Sequence, residues 1–155
     1  MPVFISYRHT ERLYAFILNE RLQLEGIDTC LELFDAEAHQ TTSDVYGIFQ
    51  HNLTSCSHMI VVLGDAASND TWWLPFGLGM ASAHNRRIAL YQSTEVPPPE
   101  YLQKWPVLGC RDQIDLFVGA YHDEKTFSGL GGAEDHMVSA DVFHTDLKAR
   151  IRRGY

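Results

Sequence analysis

With 155 residues, 45% of them hydrophobic and 21% charged, the chain has the length and balance of one soluble globular domain with a single core. A formal net charge of −8 argues against a nucleic-acid phosphate backbone as partner. No apolar run approaches the roughly 20 residues that cross a bilayer, so no membrane span is expected.

The opening "MPVFISYRHTE" has no basic n-region or cleavage site and reads as a strand, which sets the expected location as cytoplasmic. Within it, Val3 to Tyr7 is a short β-prone run of a buried strand. Thr10 is placed to cap a helix, with Glu11 in its first turn. Leu13, Phe16, Ile17 and Leu24 form the expected buried stripe of that helix, and Gly26 ends it. A second strand, "IDTCLELF" (27–34), is followed by a polar loop, "DAEAHQTT" (35–42). Thr42 or Ser43 caps a second helix that buries Val45, Ile48, Phe49, Leu53 and Cys56.

"HMIVVLG" (58–64) is continuous and apolar, the pattern of a strand buried on both faces in the middle of a parallel sheet. A third helix starts near Trp72 or Trp73 and ends near Asn85, and "RIALY" (87–91) is a fourth strand. After "EVPPPE", the stretch "YLQKWPVL" predicts a helical turn and a short edge strand, and "RDQIDLFVGAY" an amphipathic helix. "SGLGGAEDH" (128–136) reads as a flexible loop and 141–153 as a closing helix, its basic "KARIRRGY" a solvated face. Cys30, Cys56 and Cys110 form no CxxC and read as free thiols in a reducing compartment. The eight histidines make no HExxH and no zinc-spaced Cys/His pair, so no metal is expected.

The βαβαβαβ order predicts a parallel sheet with helices on both faces. In such a sheet ligands bind outside the carboxyl ends of the strands. Here those ends carry "SYRH" (6–9), "FDAE" (34–37) and "GDAAS" (64–68), joined by the tryptophan pair that opens the third helix. That helix, "TWWLPFGLGMA" (71–81), holds Gly77 and Gly79 in its first turns, where each glycine costs about 1 kcal/mol relative to alanine. "GLGMAS" (77–82) is not a dinucleotide fingerprint, because it lies within a helix rather than between a first strand and its helix.

"VFISYRH" resembles the first signature box of TIR domains, and "NLTSCSHMIVVLGDAASNDTWWLPFGLGMASAHNRRIALY" resembles their third strand and third helix. The match runs over residues 2–92 of what reads as a single domain spanning 1–155. The residues are especially similar to bacterial anti-phage TIR proteins of the Thoeris type. The resemblance implies an α/β, flavodoxin-like three-layer fold with sheet order 2-1-3-4-5. It also implies cleavage of NAD, as substrate and not cofactor, at the nicotinamide–ribose bond. An ADP-ribose-type messenger would then reach a downstream effector, with self-association through TIR–TIR contacts.

The family's catalytic glutamate lies in a pattern like "WWxPFEIGxA", so its place falls on Gly77. Two readings of Gly77 stand: a lost carboxylate, or a glycine chosen for close helix–sheet packing. A carboxylate there would stabilise the oxocarbenium-like centre of glycosidic C–N cleavage, as in glycoside hydrolysis. The resemblance, the strand ends and the face that helical spacing gives to Trp73, Gly77, Ala81 and His84 together nominate Ser6, Tyr7, Arg8, Phe34, Asp35, Trp73 and His84 for substrate binding. Arg8 suits a pyrophosphate, and Trp73 either stacks on the ligand or anchors the core. Three functions compete: an NAD-cleaving enzyme impaired at position 77, a non-catalytic TIR adaptor, and a receiver-like module. The last needs an acidic pair after its first strand, where this chain has "SYRH".

Overall fold

The computed structural model describes residues 2–34, 42–64, 73–92, 94–95, 97–128 and 139–155. Among the described residues, strands and helices follow one another as β1 (Val3–Arg8), α1 (Arg12–Leu24), β2 (Thr29–Phe34), α2 (Thr42–Ser55), β3 (His58–Leu63), α3 (Trp73–Ala83), β4 (Arg87–Gln92), β5 (Val107–Leu108), α4 (Ile114–Ser128) and α5 (Ser139–Arg153). All strand pairs are parallel and the sheet order is 2-1-3-4-5, a flavodoxin-like three-layer α/β fold. β3 is buried at every position and lies between β1 and β4, as its unbroken apolar run requires.

Alternation along the strands divides the core in two. Val3, Ile5, Tyr7, Ile60, Val62, Ala89 and Tyr91 face α1, α4 and α5. Phe4, Met59, Val61, Leu63, Ile88 and Leu90 face α2 and α3. On α2 the expected stripe is in place, with Val45, Phe49, Leu53 and Cys56 essentially inaccessible and Ile48 half-buried. The expected helical turn and edge strand appear as a 3-10 segment (Glu100–Lys104) and β5.

Helix α1 departs from expectation. Ala15, Leu18 and Leu22 are its buried residues, while Leu13, Phe16 and Leu24 are 64%, 49% and 75% exposed. Apolar residues occur almost all round this helix, so spacing alone does not select the face. The deciding feature is the strand-to-helix turn, a 3-10 segment over His9–Glu11 that delays and rotates the first α-helical turn. The same turn removes Thr10 from the cap. Its hydroxyl donates to the Glu11 carboxylate at 2.7 Å, and Glu11 is the residue that precedes α1.

The ends of α1 and α3 are built alike. Gly26 takes φ +77°, Gly26 N donates to Gln23 O and Ile27 N to Leu22 O. Asn85 takes φ +55°, with Asn85 N donating to Ser82 O and Arg86 N to Ala81 O. Both are left-handed caps in which a residue without a large side-chain penalty closes the last carbonyls and releases the chain into the next strand. The polar loop expected over 35–42 lies outside the described residues up to position 41, as does most of the glycine-rich stretch 128–136.

Candidate functional site

β1 delivers the chain to α1 on one face of the sheet, whereas α3 follows β3 on the opposite face. The carboxyl ends of the adjacent strands β1 and β3 therefore flank the point where the winding reverses, the usual place for a crevice in an open α/β sheet. Four nominated residues meet there through their strands. Ser6 pairs with Val61 across β1–β3, and Tyr7 and Arg8 complete β1 with Arg8 opposite Phe34 of β2.

Ser6 shares the parity of Phe4 and so belongs to the α2–α3 side. It is completely buried, and its Oγ has no hydrogen-bond partner among the described residues. An orphaned buried hydroxyl costs about 1–3 kcal/mol, and such groups in a folded chain call for an explanation. Tyr7 faces α1, 5% exposed, its ring edge-on to Phe16 with centroids 6.2 Å apart. Burial raises its pKa, so the phenol stays neutral and is a hydrogen-bonding group at most. Arg8, at the last position of β1, is half-buried. For Phe34 the strand backbone is fixed at the end of β2, and Asp35 lies outside the described residues.

On α3 the face predicted from spacing is observed in part. Trp73, Gly77 and Ala81 are buried together with Leu74 and Leu78. Trp73 is 2% exposed within the apolar cluster of the α2–α3 side, the position of a core anchor. His84 is not brought to the crevice. It follows the last residue of α3, at the end of the helix that leads into β4, and is exposed with its Nδ1 2.8 Å from Met80 O. A helix of this length carries its two ends about 15 Å apart, which separates His84 from the strand carboxyl ends.

Gly77 is filled by a neighbour. A Cβ built on it falls 2.6 Å from Phe49 Cε1, 3.0 Å from Cε2, and closer still to Cζ. Phe49 on α2 is 1% exposed and held edge-on by Phe4 at 6.0 Å and Phe76 at 6.3 Å between centroids. The glycine therefore lets an aromatic ring of α2 rest on the backbone of α3. The close approach is between helix and helix, where sequence reasoning placed it between helix and sheet.

Sequence reading missed two polar features on the other helical layer. Ser57 donates to His58 Nδ1 at 2.6 Å, His58 Nε2 meets Glu124 Oε2 at 3.3 Å, and Arg87 Nε donates to the same carboxylate. With His58 neutral, the Glu124 carboxylate assigns its proton to Nε2 and leaves Nδ1 to accept from Ser57. Burial lowers the pKa of His58, opposed by Glu124, which keeps that form at neutral pH. Glu124 is pushed up by burial but pulled further down by His58 and Arg87. The chain of groups looks like a nucleophile, base and acid, yet Ser57 and His58 are buried and Phe117, Tyr121 and Phe143 pack round the imidazole with centroids 4.9–5.9 Å away. It braces α4 against the starts of β3 and β4. The signal was a histidine beginning a fully buried strand.

The second feature is His144 on α5, whose Nε2 accepts from Ile88 N at 2.8 Å. Leu90 N reaches toward the β5 side, donating to Pro106 O. Ile88 has the same parity, and β5 is only two residues long, so the imidazole substitutes for a strand acceptor. Cys30, Cys56 and Cys110 are free thiols. No helix among the described residues is long and apolar enough to cross a membrane. No family model and no curated protein matches the chain.

Proposed function

We propose that this chain is a TIR-type module of the NAD-processing class, acting in cytoplasmic anti-phage signalling, in which turnover is lost or much reduced because Gly77 stands at the glutamate position. The observation that supports it is the winding reversal between β1 and β3, which lies at the carboxyl end of the strand that carries Ser6, Tyr7 and Arg8, next to the end of β2. The buried, unpartnered Ser6 hydroxyl adds a polar group at that end. Departure of nicotinamide leaves positive charge on the ribose, and an ionised carboxylate is the group that stabilises it. NAD enters as substrate, and an ADP-ribose-type product would signal to an effector.

A second reading, a non-catalytic TIR adaptor working through TIR–TIR contacts, is favoured by Phe49. Its ring occupies the space into which a glutamate at position 77 would project its first carbon. The packing of α2 on α3 is thus adapted to having no side chain there.

The experiment is nicotinamide release and NAD binding for the wild type, Gly77→Glu, and Gly77→Glu combined with Phe49→Leu, with thermal melts to confirm folding. The NAD-processing reading expects NAD binding by all folded forms and nicotinamide release once the ring is shortened and the carboxylate supplied. A folded double variant that binds NAD but never releases nicotinamide, even when concentrated, leaves the adaptor reading in its place. Absence of NAD binding by the wild type refutes the first reading outright.

A further inference from the structure

Between α5 and the segment entering β5 lies a groove of about 500 Å³, remote from the β1–β3 crevice because β4 and β5 lie beyond β3 in the sheet order. One wall is Gln103, Trp105 and Val107, and the other is Thr145, Lys148 and Arg152 of α5. The last three are spaced by three and four residues, so they share one helical face. That volume is in the range of small-ligand sites, roughly 300–1,000 Å³.

Two cations, Lys148 and Arg152, line this groove of an acidic chain. Three other cations sit in carboxylate pairs: Arg21 with Glu25 and Asp115, Arg87 with Glu124, and Arg150, only two residues from Arg152, with Asp123 and Asp146. Among the described residues, neither Lys148 nor Arg152 has a carboxylate within ion-pairing distance. Lys148 Nζ donates to Gln103 O at 3.2 Å, which pins its ammonium at the wall. Lys104, outside the lining, holds its Nζ 5.5 Å from the centroid of the Trp105 ring. The field is felt next door. Burial is the main cause that lowers the pKa of His144, but Lys148 and Lys104 push in the same direction.

We infer that this groove is a binding site for a nucleoside monophosphate, its base against the Trp105 indole and its phosphate between Lys148 and Arg152 with the Thr145 hydroxyl as a further donor. An aromatic wall and a cationic wall facing each other suit a ligand with one planar and one anionic end. Neither end alone fits as well. Inorganic phosphate leaves most of the groove empty, and an uncharged nucleoside leaves two cations uncompensated. A long polyanion is opposed by the net charge of −8.

The test titrates the full chain with AMP, adenosine and inorganic phosphate, following amide and indole N–H resonances. Saturable AMP binding is expected to move the signals of Trp105 and of α5 residues 145–152, with adenosine and phosphate each about tenfold weaker or worse. Lys148→Gln with Arg152→Gln, both surface changes, should weaken AMP by about tenfold or more while leaving the thermal melt unchanged. Trp105→Leu should weaken AMP and adenosine but not phosphate. Rising salt should weaken AMP. The inference is overturned if AMP does not saturate at millimolar concentration, if phosphate binds as tightly as AMP, or if the double glutamine variant binds AMP like the wild type.

Discussion

Replacing Gly77 by alanine sets two effects of similar size against each other, and the structure decides between them. Helix propensity favours alanine by about 1 kcal/mol, and the backbone there is not in the left-handed region that would forbid it. Against this stands the ring of Phe49, with two atoms within 2.6 Å of the new methyl. The ring end is not free to swing, since Phe49 is 1% exposed and wedged between Phe4 and Phe76. Each of those edge-on pairs is worth about 0.5–1.5 kcal/mol beyond its buried area. Overpacking of a closed core costs about 1–3 kcal/mol, so the net expectation for Gly77→Ala is a loss of about 0–2 kcal/mol.

For a chain of this size that loss corresponds to a melting temperature lower by up to roughly 8 °C. The assay is urea unfolding of Gly77→Ala, Phe49→Leu and the double variant as a cycle. Shortening the ring should relieve the clash, so the double variant is expected to be more stable than the sum of the singles by about 1 kcal/mol or more. A stabilised Gly77→Ala, or a cycle that closes additively, refutes the packing account. It would also return weight to the idea that the glycine marks only a missing glutamate.

Other expectations follow from burial and charge. Lowering pH from about 6.5 to about 4 should progressively destabilise the protein, because His144 titrates at about 4 when folded, chiefly through burial, and near 6.5 when unfolded. The unfolded chain binds more protons in that window, so stability falls with pH by up to about 2 kcal/mol after allowing for solvent screening, and His144→Gln should flatten the slope in acid-unfolding curves. Glu124→Gln should cost about 2–4 kcal/mol in urea, since Arg87 would lose its charged partner and His58 its acceptor. Leu13→Ser should change stability by less than about 0.5 kcal/mol, against about 2–5 kcal/mol for Leu18→Ala, reversing the ranking expected from the sequence stripe. Thiol titration under denaturing, non-reducing conditions should count three free cysteines.

Most of the layer architecture was legible in the sequence because each strand carries its own evidence. β3 shows an uninterrupted apolar run between turn residues, and Gly26 marks a helix end that the backbone then needs at positive φ. What spacing does not carry is phase. On α1, apolar residues cover nearly the whole circumference, and the choice of Ala15, Leu18 and Leu22 over Leu13 and Leu24 came from a 3-10 turn with no distinct signature. The candidate site was legible only as a position in the fold: Ser6, Tyr7 and Arg8 fall at the strand end beside the winding reversal. His84 was nominated by the face it shares with Gly77, although at ~1.5 Å per residue it lies about 10 Å further along the axis.

The polar groups missed by sequence reading share a cause. His58, Glu124, Arg87 and His144 are far apart in the chain, and each is explained only by a partner on another element. Their common task is to tie α4 and α5 to the sheet beside β3 and β4. β5 covers only Leu90 and Tyr91 of β4, so the amide of Ile88 would otherwise be left without a strand partner at a buried edge. A long β5 would have solved this with backbone. The short one instead requires an imidazole from α5, which makes neutral His144 part of the sheet. That arrangement also places α5 against β4, and the groove lined by Trp105, Lys148 and Arg152 lies between α5 and the segment entering β5. The shortness of one edge strand thus sets both the acid sensitivity of the fold and the concavity available for a ligand.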